Sequence, residues 1–573
     1  MFREQPDKNI KTKAPINRLL TAIGAFALIW LPAMLAQAPA NKAKPDPAKQ
    51  PAKKEEAIKP TIPGTNRYLP NKVFLEHADL LELEEQNPDY QILRGNVKFR
   101  KGDMFMYCDS AYFYESTNSI DAFGNIRMEQ GDTLFVYGDE LNYNGLTDLA
   151  RLYALHGRKA RLINKDVKLT SDQFDYDLEK NVGYYNLGGV LTDKDNRLTS
   201  VEGYYHPDTK EAFFYDNVVL FGPRDNDTLH MYTDSLMYNT QTSIATLLAK
   251  TLIVNKDGEI HSSSGTYDTN TGEADLYSRS LVVTRRGNTL IGDTLFYDRE
   301  KGYGEAFGNM IMTDSARQST LIGEYGFYND VTDSVFVTGE ALMMEYSRKD
   351  TLYMHGDTII GIRMPDSTSV TRVFHACRFF RKDMQGLSDS MIFVEKDSTL
   401  NMYRHPIIWS GTRQIHGNHI AVHFNDSMPD VVRLPHFGMM TEHIAEDCYD
   451  QLSGTNMTVW MNDTVVERLY VEGNVRVLMF PMENDSSYNK FTFVESSYMD
   501  AHFRNNQPDK IVMWPETTGN VTPLFLAKKS AMFLPDFQWY ESLRPLAPDE
   551  VFDRPKEMRL LMEMPEVGGK RRK

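Results

Sequence analysis

Apolar and polar residues alternate with period two along most of this chain, and the alternation changes phase at regular intervals. Leu134 and Val136 fall in register with Gly138, but the following Leu141 and Tyr143 fall in register with Asp139. The same slip separates Val167, Leu169 and Ser171 from Asp172, Phe174 and Tyr176, and separates Leu229, Met231 and Thr233 from Asp234, Leu236 and Tyr238. It returns between Ser200 and Val201 and between Gly323 and Glu324. Period two predicts strands. A one-residue slip throws the apolar set onto the opposite face unless a bulge or bend restores it. The small residue at each slip allows such a bend. Each strand is therefore expected to fold sharply there and pass from one sheet to a facing one. Stacked copies then form a V-shaped or flattened trough with one apolar interior.

The slips belong to a repeat. Its core phrase is a small residue, Asp or a substitute, and alternating apolar positions ending in an aromatic, as in Cys108-Asp109-Ser110-Ala111-Tyr112-Phe113 and Gly292-Asp293-Thr294-Leu295-Phe296-Tyr297. The closing aromatics stand at positions 113, 143, 176, 205, 238, 267, 297 and 328. A period of about 30 residues signals stacked units, each too small to bury its own apolar face. Most periods carry a second phrase that opens a strand: Gly95-Asn96-Val97, Gly124-Asn125-Ile126, Gly188-Gly189-Val190, Gly308-Asn309-Met310 and Gly339-Glu340-Ala341. The pattern is regular over 66–356 and loosens over 357–525, where Gly473-Asn474-Val475 and Gly519-Asn520-Val521 restart it. Residues 526–573, with Trp539-Tyr540, the prolines Pro535, Pro545, Pro548 and Pro555 and a basic end, are expected to form a capping segment and tail.

Before the repeats, residues 41–65 are rich in Pro, Ala and Lys and predict an extended spacer. Residues 1–40 carry Arg3, Lys8, Lys11, Lys13 and Arg18 ahead of the apolar run Leu19 to Ala36, followed by Ala36-Gln37-Ala38. This is the pattern of an export signal; the run also has the length of an uncleaved anchor.

Composition narrows the function by exclusion. A net charge of −16 leaves the body of the chain without the cationic footprint that nucleic-acid binding needs. Three cysteines, Cys108, Cys377 and Cys448, make neither a disulfide scaffold nor a zinc motif. Cys377 and Cys448 admit a bridge; free buried thiols are the plainer reading. The recurrent Asp139, Asp172, Asp234 and Asp293 come singly, which suits a structural role at the bend better than catalysis or calcium. His416, His419 and His423 lie close in sequence, but 416 and 419 face opposite sides of a strand. No GxSxG, P-loop, HExxH or dinucleotide phrase occurs. The chain is read as a non-enzyme that needs no cofactor and no metal.

The Gly-Asn-Val strand, the Asp-x-apolar-x-Tyr strand and the period near 30 behind an export signal resemble the OstA/LptA family of lipopolysaccharide transport proteins. The resemblance covers 66–356 well and 357–525 loosely. It implies an all-β fold, an elongated repetitive β-jellyroll, here with room for two consecutive jellyroll segments. It further implies a periplasmic protein of a Gram-negative bacterium, associated with outer-membrane assembly. Such a protein holds the acyl chains of lipopolysaccharide in its groove and pairs end to end with other jellyroll transport proteins. Candidate groove residues are Leu134, Val136, Leu141, Tyr143, Leu169, Phe174, Tyr176, Met231, Leu236, Tyr238, Leu295, Tyr297 and Tyr328. The same residues serve equally as the dry core of a structural β-solenoid without lipid cargo, and the sequence leaves both readings open. About 30 strands shared between two sheets at ~4.8 Å spacing predict a stack of roughly 70 Å.

Overall fold

The structure is a computed structural model that describes residues 72–83, 89–224, 227–347, 349–425, 428–462, 465–484, 486–504 and 507–566. The expected export signal and spacer lie outside the described residues. Those residues form an all-β, elongated repetitive jellyroll of forty-two strands joined in one antiparallel ladder.

The ladder is folded lengthwise into two facing halves, and the phase slips mark the fold line. Val167–Ser171 pairs with Ala160–Asn164 and Gly189–Thr192 in what we call the near half. Two residues on, Gln173–Asp177 pairs with Leu149–Tyr153 and Val182–Tyr185 in the far half. Other strands cross without a break: Asp227–Asn239 pairs through Met231 with the near strand Thr251–Asn255 and through Leu236 with the far strand Ile244–Leu247. Hairpin turns close both halves on the side away from the bends, so the cross-section is a V with its mouth between two rows of turns.

The strand-opening phrase builds the bend. Gly124 and Asn125 take φ of +79° and +47°, and the pairing of Ser119–Gln130 with Leu134–Asn144 shifts register between Phe123 and Ile126. Glycine and asparagine tolerate this left-handed backbone better than other residues. The repeated aspartate locks the bulge from the neighbouring strand. Asn125 Nδ2 donates to Asp109 Oδ2 at 2.8 Å, and Asn309 Nδ2 to Asp293 Oδ2 at 2.7 Å. A Cβ at Gly124 or Gly308 would meet those carboxylates.

Fourteen of the forty-two strands run through the bend and serve both halves, which puts twenty-eight rungs in each half. At ~4.8 Å per rung the stack is about 130 Å long. The shorter length expected from the sequence counted each strand in one half only.

The apolar interior is one continuous cluster from Val73 to Ala501. Beyond the last strand, Thr518–Pro523, the chain turns back as an irregular strap. It crosses the outer face of the near half through short 3-10 turns and ends in the helix Lys556–Glu563. Two satellite cores lie beneath the strap. Leu387, Ile407 and Trp409 pack with Leu543, Met558 and Leu561. Phe437, Met439, Leu478, Phe480 and Phe491 pack with Leu534.

Candidate functional site

The interior of the V is the candidate site, and its two stretches differ. In the first, the inward strand side chains singled out in the sequence are sealed. Leu134, Val136, Leu141, Tyr143, Leu169, Phe174, Tyr176, Met231, Leu236, Tyr238 and Leu295 are between 0% and 4% exposed and belong to the one continuous core. They pack against one another along and across the V: Phe174, for example, occupies the space that a Cβ at Gly183 on the adjacent strand would need, and Leu162 of the facing half lies 3.1 Å from the same point. Val167 and Leu229 are buried in the same cluster.

Polar contacts between the two rows of turns shut the mouth over this stretch. Lys101, on a near turn, is bonded to Asp148 on a far turn and donates to the Tyr143 hydroxyl at 2.9 Å. Tyr143 in turn donates to Asp148 Oδ1 at 2.7 Å. One step on, Asn164 Nδ2 donates to the Tyr205 hydroxyl and to Pro207 O, each at 3.1 Å. Next, Asn196 Nδ2 donates to the Tyr238 hydroxyl at 2.8 Å and to Thr269 Oγ1 at 3.1 Å, while Tyr238 donates to Asp193 Oδ2 at 2.6 Å. Arg299 then reaches Asp227 and Asp257 together, the latter at 2.7 Å. The closing tyrosines Tyr143, Tyr205 and Tyr238 thus stand at the mouth, ring in the core and hydroxyl in the latch. Burial, together with Asp148 accepting its proton, pushes the Tyr143 hydroxyl far above its usual range. Burial and Asp193 do the same to Tyr238.

From Tyr297 onward the latches weaken and the mouth-side apolar residues are half-buried. Arg286 approaches Asp330 at 3.5 Å and Arg317 approaches Asp333 at 3.7 Å. Tyr297 and Tyr328 are only partly buried, as are Met312, Leu321, Val335 and Met343 on the strands Tyr303–Asp314, Ser319–Asn329 and Ser334–Glu345. Phe393, Phe424, Met440 and Phe503 continue the series toward the C-terminal end. The bottom of the V stays closed there, with Met310, Val337 and Ala341 at 0% exposure. The thirteen residues singled out in the sequence therefore divide: eleven sit in the sealed stretch, and Tyr297 and Tyr328 begin the open one. The rest of the open set and the polar partners of the latch tyrosines lie outside the strict Asp-x-apolar-x-Tyr phrase. A second signal existed in the sequence, an Asn or Lys in the near turn 41 or 42 positions before the tyrosine it bonds.

Other chemistry is sparse. The three thiols are free; burial first, then Asp109, pushes the Cys108 thiol up to about 12. His416 lies on the outer face beneath the strap, and His419 lies past the bend on the far half, where its Nε2 meets Asn401 Oδ1 at 3.1 Å. Among the described residues no group of three or more His, Cys, Asp or Glu could hold a metal ion. No described helix is long and apolar enough to cross a membrane.

Residues 70–225 match the family model described as OstA-like protein. The resemblance to OstA/LptA-type proteins, read from the two repeated phrases, is supported by this match. Among the solved structures that match is LptH, described as the LptA-homologous periplasmic component of the conserved lipopolysaccharide transport device from Pseudomonas aeruginosa. It is 10% identical over 25% of this chain and 80% of its own, with a TM-score of 0.13, too low for any inference about how the two are built. No curated protein matches the chain.

Proposed function

We propose that this protein binds lipopolysaccharide and guides it across the periplasm to the outer membrane, taking the acyl chains between the two halves of the V without making or breaking bonds. The observation that carries this reading is the continuous apolar interior whose mouth is latched up to Arg299 and lined by half-buried apolar side chains from Tyr297 onward. The OstA-like match at residues 70–225 supports it. A hydrocarbon chain moved from water into such a groove gains about 0.8 kcal/mol per CH2, so several chains bind well without a pocket shaped to them. Chains enter at Met312, Leu321, Tyr328, Val335 and Met343, and the sealed stretch takes them up by parting its latches.

Partners fit the two ends of the ladder. Among the described residues, Leu80–Glu82 is paired only with Gln91–Lys101, and Gln507–Trp514 and Thr518–Pro523 only with Lys490–Arg504. Each leaves an edge to which a strand from another jellyroll can add.

A second reading, a structural β-solenoid without cargo, draws on the sealed stretch, where the interior is filled by its own side chains. Photocrosslinking separates the two. A photoreactive residue at Met343 or Tyr328 is expected to crosslink lipopolysaccharide in the envelope, with the outward Met237 as control. Equal, background-level crosslinking at all three positions, with no lipid in the mass spectrum of the purified protein, supports the cargo-free solenoid and overturns the transport reading.

A further inference from the structure

A half-open cavity of about 210 Å³ lies between the strap and the outer face of the near half. Ile407 and Phe437 of the sheet and Leu561 and Met564 of the strap give it apolar walls, and His416 and Tyr540 bring polar atoms to it. His405 fixes the rim, its Nε2 donating to Met564 O at 2.8 Å.

The strap sets which way the Gln414 amide faces, and Gln414 sets where His416 carries its proton. Gln414 Nε2 donates to Gln538 O and Oε1 accepts from Tyr540 N, both at 2.8 Å. The amide therefore turns an N–H, not an oxygen, toward His416 Nδ1 at 3.3 Å. Nδ1 must accept, so the proton of the neutral imidazole sits on Nε2. Burial keeps the ring neutral. His416 is 8% exposed and lines the cavity, and its Nε2 has no partner among the described residues. A donor held out of bulk water without an acceptor costs free energy until something fills the role. The Tyr540 ring stands at right angles to the imidazole, 5.5 Å away, and its hydroxyl also has no partner among the described residues.

Size and charge narrow the ligand. An apolar cavity of about 150 Å³ takes benzene, so this one has room for a ring-sized body with a short polar substituent. Asp536 lines it and no Lys or Arg does among the described residues, which disfavours an anion. We propose that this cavity binds a small neutral organic molecule, a ring-sized apolar body bearing a carbonyl oxygen that accepts from His416 Nε2 and the Tyr540 hydroxyl. Such a molecule touches sheet and strap at once, so its binding fastens the strap in place. The site lies outside the V and stands whether or not the interior carries lipid.

The test uses the full chain and two probes, acetophenone and α-methylstyrene, which replaces the carbonyl oxygen by a methylene of similar shape. Binding is measured by calorimetry. Acetophenone is expected to bind about tenfold more tightly. His416→Phe keeps a ring but removes the donor, and should abolish that preference. Met564→Trp, at the exposed rim, should weaken both probes about tenfold. No binding of either probe means that the cavity takes water only and overturns the proposal. So does a preference that His416→Phe leaves intact, or an affinity that Met564→Trp leaves unchanged, which would place the probe elsewhere, as in the V. If a variant loses strand content by circular dichroism, hydrogen exchange of the unmodified protein decides. Slower exchange at 535–540 with acetophenone but not with α-methylstyrene supports the site; the same exchange with both overturns it.

Discussion

The stretch from Lys101 to Leu295 and the stretch from Tyr303 to Arg504 are built from one repeat, yet they hold their shape by different means. The first is fastened from inside. Its inward side chains are sealed, and a polar latch with a tyrosine hydroxyl or a partly buried arginine closes the mouth at successive steps. The second gives up part of that burial, since Met312, Leu321, Tyr328, Val335 and Met343 remain half-buried at the mouth. From Met354 onward it recovers burial on the opposite side of the near half, where the strap covers Leu387, Ile407, Trp409 and Met439. The comparison teaches that a ladder of this kind can open its groove wherever another surface takes over the stabilising role. Apolar burial is non-directional and contributes about equally from either face.

The largest expected effect breaks the comparison at its core. Phe174→Ala removes a ring that is 0% exposed and packed beneath Gly183, and should cost about 3–5 kcal/mol locally. Met343→Ala, in the open stretch, should cost about 1–2 kcal/mol, because a half-buried side chain leaves little cavity. Hydrogen exchange of the flanking strands measures both, since a repeat array unfolds by neighbourhoods and has no single midpoint. Equal losses at the two positions would mean that the interior is uniformly filled.

The difference between the stretches also explains what was legible beforehand. In the first, one face of each strand is dry and the other wet, so alternation is strict, and the phase slips located the bends at Gly138, Ser171 and Thr233 correctly. In the second, the strap buries the outer face as well. Ile407-Ile408-Trp409 and Gly438-Met439-Met440 then read as continuous apolar runs, and the period fades from the sequence although the ladder continues unbroken. A strand buried on both faces loses its alternation for that reason. The strap contacts were illegible for another reason: Gln385, Gln414 and Gln451 sit on outward positions, where a glutamine ordinarily faces water. Nothing in their local sequence shows that a segment more than 80 residues away will cover them.

A smaller effect sharpens the comparison through pH, because it belongs to the strapped stretch alone. His416 is 8% exposed, accepts at Nδ1 from the Gln414 amide, and burial holds its pKa down at about 4 against an ordinary 6.5. The unfolded chain takes up this proton as pH falls below 6.5, whereas the folded chain does so only near 4. Stability is therefore full above 6.5, declines between 6.5 and 4, and levels off below. The loss is about 3 kcal/mol at ~1.4 kcal/mol per pH unit. Asp450, two strands away, works in the opposite direction. Burial raises its pKa to about 6, so it contributes more stability as pH falls from 6 toward 3.8. His416→Asn isolates the histidine. Denaturation followed by the fluorescence of Trp409, beneath the strap, should lose about 2–3 kcal/mol less between pH 7 and 4.5 in the variant than in wild type. An unchanged pH dependence would show that His416 reaches water when the strap is in place.

The smallest expected effect lies in the latch itself. Asn196→Ala deletes the donor that joins the near turn to Tyr238 and Thr269, but Tyr238 still donates to Asp193 and Thr269 to Ser243 O. With those acceptors retained, the cost should be about 1–2 kcal/mol, the usual range for losing one side of a buried hydrogen-bond pair. Its reach is more informative than its size. If latches act one by one, added exchange is confined to the turns around Asn196 and Thr269. If they act as a zip, mouth-side strands exchange faster as far as Arg299, and the sealed stretch comes to resemble the open one. The lipid crosslinks expected at Met343 should then extend inward to Leu236. Faster exchange that spreads without any gain of lipid contact at Leu236 would mean that the latches hold the fold together but do not gate the groove.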